Sequence, residues 1–475
     1  MQYDWLENAV FYEIYPTSFY DANGDGVGDL QGIIEKLPYL KELGINAIWM
    51  NPCFLSPFRD GGYDISDYYQ IDPHFGTNDE MKQLFKLARA MDIRICLDLV
   101  VGHTSTEHPW FQQSQKDEKN EFTDAFIWKP GTDPMGDTKG NFIIGLAERP
   151  DMYLVNYFSS QPALNFGYYK PKQSWQQKMT ADGPMKNRQR VVDICKFWLE
   201  MGAAGFRVDM AGSMVKNDTR SNKGNIAFWN DVIPRIKQDY PETVFISEWF
   251  NPNQSVKKSS FDIDFNGGYF LYSVWNKEGN KIKAAQNSYF SSNGNHFTDA
   301  LHKFNSFHKN VRGKGYQSIC QGNHDRERVS YGRNIDLVKI SFAFQMTMPH
   351  VPFIYYGDEI GMAYQEIKSK DGGFNRTGSR TPMQWDNSKN RGFSTANSEN
   401  LYLPVDSDIE ACVAVQNGKD GSLLETVRSL VALKRNLNCL RVNSSFKIIK
   451  RGNPFIFHRE SAAVSYTHLT LPTKA

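Results

Sequence analysis

Apolar residues fall along the chain in short, β-rich runs separated by amphipathic stretches. The runs that read as strands are 9–16 ("AVFYEIYP"), 45–52 ("INAIWMNP"), 93–101 ("IRICLDLVV"), 204–210 ("AGFRVDM"), 244–250 ("VFISEWF"), 260–265 ("SFDIDF"), 318–324 ("SICQGNH") and 351–359 ("VPFIYYGDE"). Between them, "DLQGIIEKLPYLKELG" sets Ile33, Ile34, Leu37, Leu40 and Leu43 at helical spacing and stops at Gly44. A second stretch, "QRVVDICKFWLEMGAA" at 189–204, predicts a helix leading straight into the fourth run. Near-continuous apolar strands alternating with amphipathic helices predict a parallel sheet covered by helices. Eight of them predict an α/β fold of the (β/α)8 TIM-barrel kind.

Two regions break this rhythm. Residues 104–174, rich in Asp, Lys, Pro, Phe and Tyr, are too long for an ordinary connection and read as an inserted subdomain. Near the other end, "SLLETVRSLVALKRNLNCL" predicts a final helix, and "SFKIIKR" and "FIFHRE" read as the first strands of a small β-domain. The expected organisation is a barrel at 1–103 and 175–437, an insert at 104–174, and a truncated C-terminal β-domain beginning at 438–464. The closing "SYTHLTLPTKA" at 465–475 has no period, caps or core pattern and reads as a non-native tail.

Charge and composition then remove function classes. The 475 residues carry 53 acidic against 54 basic side chains, so no polyelectrolyte field points to nucleic acid or to an anionic membrane surface. The N-terminus lacks a basic region followed by an apolar one, and no apolar run approaches the ~20 residues that span a bilayer. Six cysteines are scattered without CxxC spacing, as expected in a reducing cytosol. The expectation is a cytoplasmic monomer with no nucleic-acid or membrane partner and no organic cofactor. Aromatic residues make up 14% of the chain, and flat rings with polar tips suit sugar faces as well as a core.

In a barrel of this kind the site lies at the C-terminal ends of the strands. There the candidate strands carry Asp98 and His103, Arg207 and Asp209, Glu248, and His324 and Asp325. A lone Asp after a strand is usually a helix cap or turn residue. A group of carboxylates with an arginine and two histidines is hard to attribute to capping. Arg207 and Asp209 also stand inside an apolar run, where unpaired charge is costly. A buried Arg–Asp pair that merely ties the barrel together explains the pair but not its company. Cleavage of a glycosidic bond with retained configuration needs a carboxylate nucleophile and a carboxylic acid close together, and a third carboxylate stabilises the sugar cation. Asp209, Glu248 and Asp325 are the candidates, with Arg207 keeping Asp209 ionised and aimed.

The segments "DLVVGH", "GFRVDMA", "ISEWF" and "GNHD" together resemble the four short regions of the α-amylase family, glycoside hydrolase family 13, in order and at plausible separations. The resemblance implies Asp209 as nucleophile, Glu248 as general acid/base and Asp325 as the transition-state carboxylate. It implies that Arg207, His103 and His324 contact the innermost sugar and that Asp98 supports them. The insert is then similar to the family's domain B. Two positions depart from the pattern: Gly102 stands where an Asn is usual, and Ala163 of "QPALN" where an Asp is common. The first departure puts a calcium ion beneath domain B in doubt.

Other stretches resemble one branch of the family, the α-glucosidases and oligo-1,6-glucosidases. In "DANGDGVGD", Asp21, Asn23, Asp25, Asp29 and the Val27 carbonyl look like that branch's Ca²⁺ loop. Taken alone the segment reads as a polar turn. "RDGGYDISDY" supplies Tyr63 to stack under the innermost glucose and Asp60 to bind its far hydroxyls, and "SRTPMQWD" supplies Arg380 as the partner of Asp60. A surface salt bridge between loops is the competing reading of that pair. The expected activity is cleavage of α-glucosidic bonds in short malto- or isomalto-oligosaccharides through a covalent glucosyl-aspartate. A transglycosylating sucrose or trehalose isomerase and an endo-acting amylase are the alternatives. Met210, just after the candidate nucleophile, matches neither the Val nor the Ala commonly associated with linkage preference.

Overall fold

In a computed structural model the described residues are 4–131, 140–266, 297–370, 376–451 and 454–461. Eight parallel strands form the barrel: β1 Phe11–Ile14, β2 Ala47–Met50, β3 Arg94–Leu99, β4 Gly205–Val208, β5 Val244–Ser247, β6 Ile263–Phe265, β7 Tyr316–Ser318 and β8 Phe353–Tyr355. They pair in the order β7-β6-β5-β4-β3-β2-β1-β8. A bridge between Cys320 and Phe353, with the Val351 N–H donating to the Gln317 carbonyl at 3.1 Å, draws β7 and β8 together and all but closes the ring.

Strand periodicity decides which side chains enter the barrel, because successive residues point to opposite faces. Phe11, Ala47, Trp49, Cys96, Val244, Ile246, Ile263, Phe265 and Phe353 form one buried cluster inside the ring. Tyr12, Ile14, Ile48, Met50, Leu97, Phe206 and Val208 pack outward in a second cluster shared with the surrounding helices. By the same alternation Glu13, Asp98 and Arg207 share the inward face, and Asp98 stands opposite Arg207 in register.

Helix α1, Leu30–Glu42, starts at the Asp29 cap, whose side chain accepts the Gly32 N–H at 2.6 Å. It buries Ile33, Leu37 and Leu40 and gives way to Gly44 at φ +90°, a left-handed turn that suits glycine. The helix before β4, α2 (Asp182–Met201), begins seven residues earlier than its apolar pattern predicts. Gly183 and Pro184 look like loop residues, yet first-turn N–H groups have no intrahelical acceptor, so a proline there costs nothing. The seventh strand is displaced from the predicted 318–324 to Tyr316–Ser318. Beyond it the chain leaves the sheet at Gly322 and Asn323, which frees His324 and Asp325 to face the barrel mouth.

The insert contains a small antiparallel sheet of Trp128–Lys129, Met152–Leu154 and Phe142–Ile143. Residues 175–181 remain attached to it, since Tyr168 bridges both Lys178 and Lys216. The final helix spans Leu423–Asn436 and is capped by Ser422. The two predicted C-terminal strands form a hairpin, Ser445–Lys450 with Ile456–Glu460. The segment 465–475 lies outside the described residues. Among the described residues no helix is long and apolar enough to cross a membrane.

Candidate active site

The site is organised around a guanidinium. Arg207 is buried, and one of its terminal nitrogens donates to Asp98 at 3.0 and 3.3 Å and to Asp209 at 3.1 Å. The other pairs with Glu248 at 2.9 Å. The charges within the apolar run are therefore partnered, and the guanidinium also lies 4.9 Å over the Trp49 ring. Asp98 is held further by the Trp49 indole N–H at 3.0 Å and the Tyr63 hydroxyl at 2.9 Å.

Burial pushes the Asp209 carboxyl well above the usual carboxylate range, the neighbouring Glu248 adds to this, and Arg207 opposes it. Arg207 therefore aims Asp209 but does not offset its burial, contrary to the expectation that the guanidinium keeps this carboxyl ionised. The Glu248 carboxylate also accepts the Met210 N–H at 2.9 Å. Met210 sits at φ +43°, an unusual conformation for a bulky side chain, and this turn aims its N–H at Glu248. Asp209 and Glu248 are thus coupled through Arg207 and through one strained turn.

Asp325 lies beside two arginines, with Arg376 at 3.0 Å and Arg380 at 3.2 Å from the same carboxylate oxygen. Burial alone would raise its carboxyl, but His324, Arg380 and Arg376 outweigh burial and hold it well below the usual range. His324 is buried behind Tyr63, its ring stacked on the tyrosine at 5.2 Å and 9°. Its Nε2 faces the Tyr63 hydroxyl at 2.8 Å and its Nδ1 faces Glu13 at 2.7 Å.

A cavity of about 780 Å³ opens over these groups, and Asp60, Tyr63, His103, Asp209, Glu248 and Asp325 all line it. Arg207 and His324 stand directly behind the lining rather than in it. Arg380 does not pair with Asp60: it is fully enclosed, donating to the His324 carbonyl at 2.9 Å and to the Tyr15 hydroxyl at 3.3 Å. The guanidinium that reaches Asp60 is Arg376, four residues earlier in "FNRTGSRTP". The two arginines flank the 3-10 turn Thr377–Ser379, Arg376 before it and Arg380 after it. Gln161 donates to the other Asp60 oxygen at 2.6 Å. Burial raises the Asp60 carboxyl to about 6, against the pull of Arg376 and Gln161.

The two departures from the family pattern are filled locally. A side chain on Gly102 would run into the Asn156 amide, its β-carbon 2.8 Å from the Asn156 nitrogen. That amide faces His103 Nδ1 at 3.1 Å, while Lys216 donates to the Asn156 oxygen at 3.2 Å. His103 Nε2 lies 2.9 Å from the Tyr63 carbonyl, and Ala163 pairs with His103 as a β-bridge. Asn156, Gln161, Glu13 and Arg376 were not legible as site residues, because each works through a partner distant in sequence.

In the loop at 21–29 the side-chain oxygens turn onto the loop itself. Asp21 accepts N–H bonds from Gly24 at 2.6 Å and Gly26 at 2.7 Å, and Asp29 from Ala22 at 3.0 Å and Asn23 at 3.2 Å. Asn23 accepts from Asp25, and Asp25 from Val27, each at 2.9 Å. The donors are of the oxygen type calcium takes, but among the described residues no three acidic, His or Cys groups gather to hold a metal. These turns lead into α1, and we propose Asp21, Asn23, Asp25, Asp29 and the Val27 carbonyl as the groups that would hold a structural Ca²⁺.

An acidic cavity over the C-terminal ends of a (β/α)8 barrel, with two carboxylates on one guanidinium and a third beside two arginines, defines a glycoside hydrolase. The model of the α-amylase catalytic domain matches residues 13–443, and the chain belongs to the α-amylase family. It is 30% identical to the oligo-1,6-glucosidase of Parageobacillus thermoglucosidasius, covering 96% of this chain and 88% of that one. It is also 30% identical to the trehalose synthase/amylase TreS of Mycobacterium tuberculosis, covering 95% and 78%. Among solved structures, a mutant isomaltulose synthase from Erwinia rhapontici NX5 in complex with its natural substrate sucrose superposes with a TM-score of 0.80 at 26% identity, covering 97% and 89%. A mutant trehalulose synthase in complex with Tris does so with a TM-score of 0.77 at 25% identity, covering 97% and 90%.

Proposed function

We propose that the protein is an exo-acting, retaining α-glucosidase of short malto- or isomalto-oligosaccharides. Glu248 donates a proton to the glycosidic oxygen as an Asp209 oxygen attacks the anomeric carbon, which leaves a glucosyl ester and a free alcohol. The Glu248 carboxylate then takes a proton from water as that water attacks the anomeric carbon and displaces the Asp209 carboxylate, releasing glucose and restoring both residues. Asp325, kept ionised by its arginines, accepts sugar hydroxyls and favours positive charge on the ring. Tyr63 and His103 complete the innermost subsite, and Arg207, Asp98 and His324 hold its groups in place.

The observation that carries the exo reading is the bridge of Arg376 between Asp60 and Asp325, with Gln161 on the far oxygen. This pairing supports a wall of paired charge behind the first sugar, as an exo-acting pocket requires. Residues 104–174 are proposed to act as domain B, contributing Gln161 to this wall. Six free cysteines, five of them buried, support the proposed cytoplasmic setting, and the chain is proposed to act as a monomer. Product chromatography on maltose, isomaltose and sucrose tests the proposal. Free glucose from maltose or isomaltose is the expected result; a rearranged disaccharide with little glucose would make the enzyme an isomerase. Mixed internal fragments from longer glucans would make it endo-acting.

A further inference from the structure

The turn after Glu248 is held from an unexpected direction. Asp264, on β6, is fully buried, and one of its oxygens accepts the backbone N–H groups of Trp249 at 3.1 Å and Phe250 at 3.3 Å. Its other oxygen accepts the Asn251 N–H at 2.8 Å and the Ser255 hydroxyl at 2.7 Å. Four donors converge on this one carboxyl group and oppose the burial that raises it to about 7.

Their target is strained. Phe250 stands at φ +58°, a left-handed conformation that an aromatic residue holds only when its surroundings enforce it. The same turn is tied to the catalytic residues: the Ala211 N–H donates to the Glu248 carbonyl at 3.1 Å, and the Glu248 N–H to the Val208 carbonyl at 3.0 Å. Trp249 is wedged edge-on against Phe261 at 6.2 Å, with its indole over Gly212, where a β-carbon would come to 2.9 Å. Phe250 instead reaches the rim of the cavity, and both rings line it. A sugar leaving group must sit on the side of the residue that protonates it, so these rings belong to the leaving-group side.

We infer that Asp264 is a positioning residue that fixes the turn Glu248–Asn251 through its backbone, and so sets both the aim of the acid and the aromatic wall met by the leaving sugar. The inference rests on Glu248 being the general acid. Asp264→Asn keeps the shape but turns an NH₂ group toward two of the donors, whereas Ser255→Ala removes one donor and leaves the carboxylate intact.

The test compares kcat/KM on maltose and isomaltose with kcat/KM on 4-nitrophenyl α-glucoside, whose leaving group needs little protonation, alongside Tm. Asp264→Asn is expected to lower the disaccharide values about 100-fold and the aryl-glucoside value less than about tenfold. Ser255→Ala should shift the same ratio in the same direction by a few-fold. Proportional losses on both substrates, with a lower Tm, would make Asp264 merely structural and overturn the inference. Should Asp264→Asn fail to fold, an unchanged ratio in Ser255→Ala overturns it equally. Glu248→Gln separates the two levels. If that variant loses both activities alike, the acid assignment has failed. If it spares the aryl glucoside while Asp264→Asn shows no selectivity, only the positioning role falls.

Discussion

The wall of the cavity fed by β2, β7 and β8 is made of side chains that neutralise one another, whereas the wall fed by β4 and β5 is made of tight turns whose backbone N–H groups do the positioning. On the first, Asp60, Arg376, Asp325 and Arg380 form a chain of alternating charge, closed by Gln161. On the second, the Met210 N–H aims Glu248, and Asp264 gathers three consecutive amides behind it. β8 and β4 lie opposite each other in the eight-stranded ring, and residues of both walls line the one cavity. On the proposed function, binding of the sugar that stays rests on charge that must be complete, and delivery of the proton on conformation that must be rigid.

Substitutions on the catalytic pair that bridges the walls carry the largest effect. Asp209→Asn, nearly isosteric but unable to form the ester, should lower kcat by ~10⁴-fold or more while leaving Tm within a few degrees. On the charged wall, Asp60→Ala removes one of the two carboxylates on Arg376, and Arg376→Ala leaves Asp60 buried with Gln161 as its side-chain donor, so each should cost ~3–4 kcal/mol, or about 10²–10³-fold in kcat/KM on maltose or isomaltose. The double variant should lose less than the product of the two single losses. Losses that simply multiply would show that the residues act independently and that the wall is not one unit.

A smaller effect appears with pH. On the proposed function Asp60 binds sugar as a carboxylate, and its carboxyl is raised to about 6 by burial. The protonated, inactive form therefore accumulates as pH falls through about 6. The ratio of wild-type kcat/KM to that of Asp60→Asn should fall by up to about tenfold per pH unit below 6 and stay flat above 7. A flat ratio throughout would mean that Asp60 does not titrate there. If the loop at 21–29 holds Ca²⁺, excess chelator should lower Tm by several degrees, reversibly on adding Ca²⁺, and change kcat little. An unchanged Tm in metal-free protein would make Asp21, Asn23, Asp25, Val27 and Asp29 a set of polar turns.

The residues that carry the proposed chemistry were legible because chemistry puts charge where packing would put valine. Arg207 and Asp209 in an apolar strand, Glu248 closing another, and Asp325 after a third all contradict their surroundings. The barrel was legible from the same runs, apart from the shift of β7, where "SICQGNH" continues an apolar pattern after the chain has left the sheet. Arg376 was missed because both it and Arg380 stand in one loop, and only the course of the Thr377–Ser379 turn decides which guanidinium crosses to Asp60. Asp264 and Glu13 were missed because alternation in a short strand cannot separate a buried carboxylate with partners from an outward one. Their partners lie in loops elsewhere in the chain. The role of Gly102 became clear only with Asn156 beside it.

The central claim is that the reaction passes through a sugar ester on Asp209, and mass spectrometry tests it most directly. The enzyme is incubated with a 5-fluoro-α-glucosyl fluoride, which forms the ester readily and hydrolyses it slowly, then digested with pepsin. The account predicts one labelled peptide, heavier by a single fluoroglucosyl group, with the label on Asp209 and absent from Asp209→Asn. A label on any other carboxylate, or turnover of the reagent with inverted product and no labelled peptide, would contradict it.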